Sequence, residues 1–184
     1  MKICVRGAVC AAVIWLFCLH LAKAQPYRYL TIDDFKGTPR TKTTTVAETN
    51  CYIDLHYSVS NKSGKYILRF NVGLVMNRDL SWINFASMES PGMLSYILKH
   101  EQGHYDICYF EQQELIREFS RNSYDKNYQQ QVTDIFDRVH AKYDQLEKDY
   151  DEDTVHSING TQQLSWNRYF ERTLMAMNVY ASRN

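Results

Sequence analysis

The chain has 184 residues, 21 basic against 21 acidic side chains, six histidines and 45% hydrophobic residues. That length suits one domain with an adequate core. Balanced charge without a basic cluster gives no support for binding nucleic acid or an anionic membrane.

Residues 1–24 read as a leader. Lys2 and Arg6 make a positive start, and Gly7 to Leu19 form an apolar run that includes Val13-Ile14-Trp15-Leu16-Phe17. Ala22-Lys23-Ala24 then puts small residues at the two positions a signal peptidase reads, before Gln25. The run is short for a membrane span, and no later stretch is long enough. Leu16-Phe17 before Cys18 do not suit a lipoprotein site. The expectation is a cleaved signal peptide at 1–24, a secreted or periplasmic location, and a single domain over 25–184. Setting aside the leader's Lys2, Arg6 and Lys23 leaves 18 basic and 21 acidic residues.

Of the five cysteines, Cys4, Cys10 and Cys18 lie in the leader. Cys51 and Cys108 remain, and an oxidising compartment permits a disulfide between them. The sequence leaves that bond and two buried thiols equally open. Neither has the Cys-x-x-Cys spacing of a zinc ligand.

From Tyr27 to about Trp82 the pattern favours strands. Thr41–Val46 is β-prone, and Tyr52–Val59 and Tyr66–Val75 flank the turn signal Asn61-Lys62-Ser63-Gly64, which predicts a hairpin. His56 falls on a strand among polar neighbours, as a surface or packing residue. Asp79–Ile83 reads as a short strand or strand end. Ser90 as N-cap and Pro91 at the first helical position open a helix predicted to run to about Ser120. Val132, Ile135, Phe136, Val139, Tyr143 and Leu146 predict a second helix over about 127–148, ended by the acidic segment 149–156. A third follows over about 162–180. Strands first and helices after give an α+β domain.

The chemistry lies in the first helix, in His100-Glu101-Gln102-Gly103-His104. Residues four apart share one helical face, so both imidazoles can reach one divalent ion. Glu101 beside them can address a water on that ion, which is the physical content of the His-Glu-x-x-His metalloprotease motif. By chance the motif occurs in roughly one such chain in a few hundred, and the bland alternative is a solvated turn with two unconnected histidines. Gly103 costs about 1 kcal/mol of helix propensity against alanine, whether as simple tolerance or to admit another element close to the metal face.

A catalytic zinc takes three protein ligands and keeps a position for water. The metzincin extension fails, because its Gly and His places hold Ile107 and Phe110. The candidates elsewhere are His156, His140, Glu147, Asp151, Glu152 and Asp153. For an oxyanion donor, Tyr150, Tyr105 and His140 stand unranked. Asp106, Asp151 and Thr154 are candidates to hold the ligand imidazoles by hydrogen bonds.

Taken together, Ser81-Trp82, His100-Glu101-Gln102-Gly103-His104-Tyr105-Asp106-Ile107, Tyr150-Asp151-x-x-Thr154-x-His156 and Gln163-x-x-Trp166 resemble a bacterial family of predicted secreted zinc-dependent proteases, long catalogued as a domain of unknown function. The likeness runs from about Tyr52 to Leu174. It implies a zincin-like site with His100, His104 and His156 as Zn2+ ligands and Glu101 as general base, acting on a peptide or protein. Ser157 departs from the glycine expected after the histidine. The alternatives are a non-catalytic binding or structural domain, with a structural zinc or none, and a metal hydrolase acting on a cell-wall amide. Glycosylation sequons occur at Asn61 and Asn159.

Overall fold

A computed structural model describes residues 27–40, 45–88 and 90–181. The predicted signal peptide and residues 41–44 of the Thr-rich stretch lie outside the described residues. The elements follow as β1 (Ala47–Glu48), β2 (Cys51–Lys62), β3 (Lys65–Met76), β4 (Trp82–Ile83), α1 (Pro91–Arg121), α2 (Tyr128–Thr154) and α3 (Gly160–Ala181). This is the α+β order the sequence predicts, antiparallel strands and then three helices.

β2 and β3 pair along their whole length, from Cys51 opposite Met76 to Lys62 opposite Lys65. Ser63 and Gly64 close the hairpin with φ of 52° and 83°. Two positive φ values give the turn a twist that matches right-twisted strands. Ile53, Leu55, Leu68, Phe70 and Val72 pack into a core with Ile107, Phe110, Leu115 and Phe119 of α1. Tyr52, Asp54 and His56 alternate onto the exposed face. β1 pairs antiparallel with β4, Ala47 opposite Ile83 and Glu48 opposite Trp82.

Residues 27–40 depart from the predicted strand character. They hold a single 3-10 turn, Ile32–Asp34. Its backbone is satisfied by side chains instead of a sheet: Thr31 N donates to Asp34 Oδ2 at 2.8 Å, and Leu30 N donates to Gln102 Oε1 of α1 at 2.7 Å. Arg28 grips both oxygens of Asp34 at 2.9 Å. A second apolar cluster, with Leu30, Phe35, Ile83, Ile97, Tyr105 and Cys108, binds this segment to the other side of α1. α1 therefore lies between two cores.

The second helix runs six residues further than predicted. The acidic run does not end it, because Tyr150 is fully buried and Thr154 Oγ1 donates to Tyr150 O at 2.6 Å. Packing of one aromatic ring thus outweighs the mutual repulsion of solvated carboxylates. The consequence is geometric: Glu147 and Asp151 sit four apart on one helical face.

Candidate metal centre

α1 and the C-terminal end of α2 cross so that two pairs of residues spaced by four face each other. His100 Nε2 lies 3.3 Å from His104 Nε2. Asp151 Oδ1 lies 3.3 Å from the first and 3.2 Å from the second. These three atoms form a nearly equilateral triangle. His156 Nδ1 approaches the same carboxylate oxygen from outside it, at 3.3 Å. The approaches to Asp151 Oδ1 do not have hydrogen-bond geometry, which leaves it a buried oxygen without a partner. An orphaned buried carboxylate oxygen costs free energy unless a cation or donor meets it.

The imidazoles are aimed from behind. His100 Nδ1 donates to Gln163 Oε1 of α3 at 3.0 Å, and His104 Nδ1 donates to Glu147 Oε2. With the protons on Nδ1, both Nε2 lone pairs point into the triangle. Tyr150 backs the pair. Its ring stacks on His100 at 4.7 Å and meets His104 edge-on at 5.1 Å. Its hydroxyl donates to His100 O at 2.9 Å and accepts from Gln163 Nε2 at 2.8 Å. Gly103 makes room for it, since a Cβ there would stand 2.5 Å from Tyr150 Cζ. The glycine in the motif therefore serves close approach.

Burial opposes charge on His104, but Glu147 and Asp151 beside it outweigh that and hold its pKa well above the ordinary value. Burial likewise opposes charge on Asp151, while the rings of His100 and His104 hold its carboxyl well below the usual range. Each group favours the other's charged form, as expected where a carboxylate and an imidazole lie in contact away from water.

Glu101 is buried, and its Oε2 accepts a hydrogen bond from Thr49 Oγ1 at 2.6 Å. It lines a cavity of about 320 Å3 together with His100, His104, Asp151 and His156. Residues 45–49, which include β1, and Ser157 line it as well.

The remaining predicted residues fall elsewhere. Tyr150 is enclosed behind the imidazoles, Tyr105 lies in the second core cluster, and His140 pairs with Glu111 at 2.8 Å, so none of the three oxyanion candidates walls this cavity. Asp106 accepts from Tyr27 OH at 2.9 Å and Gln102 Nε2 at 2.8 Å, not from an imidazole. Thr154 bonds only backbone, and Asp151 stands in the triangle itself. The orienting work is done by Glu147 and Gln163. Helical periodicity put Glu147 within reach once α2 is long enough, while Thr49 carried no sequence signal.

An α+β domain with two imidazoles and a carboxylate converging on one point has a site able to hold a metal ion. The chain belongs to a bacterial family of proteins of unknown function (DUF922), whose model matches residues 31–157. No curated protein and no solved structure matches it.

Proposed function

We propose that the protein is a secreted zinc metallopeptidase. The observation that carries this is the triangle of His100 Nε2, His104 Nε2 and Asp151 Oδ1, with edges of 3.2–3.3 Å. Donors at bond lengths of about 2.0–2.1 Å in a tetrahedron stand about 3.3 Å apart. Two imidazoles and a carboxylate also make a donor set that catalytic zinc accepts. His156, the third ligand implied by resemblance, contacts Asp151 Oδ1 through Nδ1 at 3.3 Å from outside the group of three donors, and is the alternative third donor.

Bound there, zinc supplies Lewis acidity and brings a water's pKa towards 7. Glu101, buried beside the two imidazoles and lining the same cavity, would serve as the general base, accepting a proton from water and returning it to the leaving amine. Thr49 holds one oxygen of Glu101 and leaves the other for this work. Glu147 and Gln163 keep both ligand imidazoles in one tautomer. Among the described residues β1 pairs with β4 alone, and it lines the cavity, which suits a substrate laid down as an extended chain.

One observation favours a second reading. His156 Nδ1 lies 3.3 Å from Asp151 Oδ1 but outside the group of three donors, so a small movement of its turn towards the ion would add a fourth. If all four close on the ion, no position remains for water and the zinc is structural. Zinc content and digestion of casein, measured on the parent, Glu101→Gln, Asp151→Ala and His156→Ala, separate the readings. The peptidase reading expects about one zinc per parent chain, cleavage by the parent, and metal-loaded but inactive Glu101→Gln. Cleavage undiminished in Glu101→Gln would overturn the base assignment. Zinc without turnover, lost in both ligand variants, would favour the structural site.

A further inference from the structure

Cys51 and Cys108 are free thiols on different elements, 57 positions apart in sequence. Cys51 opens β2, and Cys108 lies on α1 one turn beyond His104. One contact fixes the place: Cys51 Sγ donates to His104 O at 3.8 Å, the carbonyl one turn before Cys108. A helical side chain leans back over the turn N-terminal to it, so the Cys108 sulfur is carried to that same spot. Both residues belong to the cluster around Tyr105 and Leu74. Both also line a cavity of about 250 Å3 that borders the metal centre through Thr49, His104 and Glu147. A small oxidant has a route to them.

We infer that Cys51 and Cys108 form a disulfide site that joins β2 covalently to the metal-bearing helix, with a small-molecule or protein disulfide as oxidant. One cysteine, as thiolate, attacks a sulfur of the oxidant, whose own S–S bond breaks and releases one thiol. The other cysteine then attacks the cysteine sulfur of the mixed disulfide and releases the second thiol. Two electrons and two protons pass to the oxidant, one S–S bond is made and one is broken. Closing so long a loop restricts the unfolded chain strongly. The bond also pins α1 one turn past His104. It stands independently of the zinc reading.

The test is to purify the protein from cells expressing the full chain, incubate it without denaturant in oxidised glutathione, block residual thiols, and map peptides without reduction. The expected product is one cross-linked pair containing Cys51 and Cys108, with a Tm roughly 5–15 °C above the reduced protein. In Cys108→Ser, the reaction should stop at a glutathione adduct on Cys51. Two blocked free cysteines, stable glutathione adducts on the parent, or cross-links only between chains would overturn the inference. The parent's map decides even if the variant fails to fold.

Discussion

Val155, His156 and Ser157 carry φ of 51°, 49° and 78°, three successive residues in the left-handed region. For a residue with a Cβ this costs about 1–2 kcal/mol, and for a β-branched one it is a true outlier. The turn persists because its backbone is tied down: His156 N donates to Asp151 O at 3.2 Å and Asn159 N donates to Thr154 O at 2.8 Å. Ser157, the departure from the expected glycine, has the largest of the three angles. Ser157→Gly should therefore raise stability by about 1 kcal/mol, seen as a higher Tm at unchanged zinc content. Gly103→Ala should do the reverse. Its new methyl meets a Tyr150 ring that is fully buried among His100, His104, Trp166 and Phe170, so a loss of about 3 kcal/mol or more is expected in denaturant titration. Asp34 decides part of the acid response. Burial opposes its charge, but Arg28 and the Thr31 amide hold its carboxyl below the ordinary value. Stability from this group is present above its unfolded pKa of about 4 and is lost as pH falls through the lower folded value. Asp34→Asn should cost about 1–2 kcal/mol at pH 7 and flatten the decline of stability below pH 4, measured against the parent.

At the scale of elements, the site is two helical spacings brought face to face. His100 and His104 come from α1, Glu147 and Asp151 from α2, and α3 adds Gln163 behind His100. Removing an orienting partner should weaken the metal without removing a ligand. Glu147→Ala is expected to bind zinc 10–100-fold more weakly than the parent by calorimetric titration, with its helix content unchanged. Equal affinities would show that His104 needs no carboxylate behind it. The hairpin and α1 were legible because each announces itself locally, in alternation, an Asn-Lys-Ser-Gly turn and a Ser-Pro helix start. The extension of α2 was not. Its last turns are held by Tyr150 under α1, a contact between residues 50 positions apart.

For the whole molecule, metal and fold should be coupled, because the donors come from α1 and α2 and the groups that orient them from α2 and α3. Zinc at about 100 times its Kd should stabilise the protein by about 2.7 kcal/mol, and a chelator should reverse the rise in Tm. Because Glu147 and Asp151 favour the charged form of His104, a metal ion binding there would compete with a proton, and zinc affinity in calorimetric titration should fall as pH is lowered.

The sequence by itself determined the α+β order, the hairpin with its turn, the helix that carries His100, Glu101 and His104, and the spacing that lets two imidazoles share a face. These are local consequences of period, turn chemistry and capping. Only the tertiary structure decided that Asp151 completes the triangle, that Glu147 and Gln163 aim the rings, that Thr49 holds Glu101, and that Gly103 exists to admit Tyr150. Each of those is a meeting between distant segments, set by how buried surfaces pack, and a spacing along the chain carries no record of it.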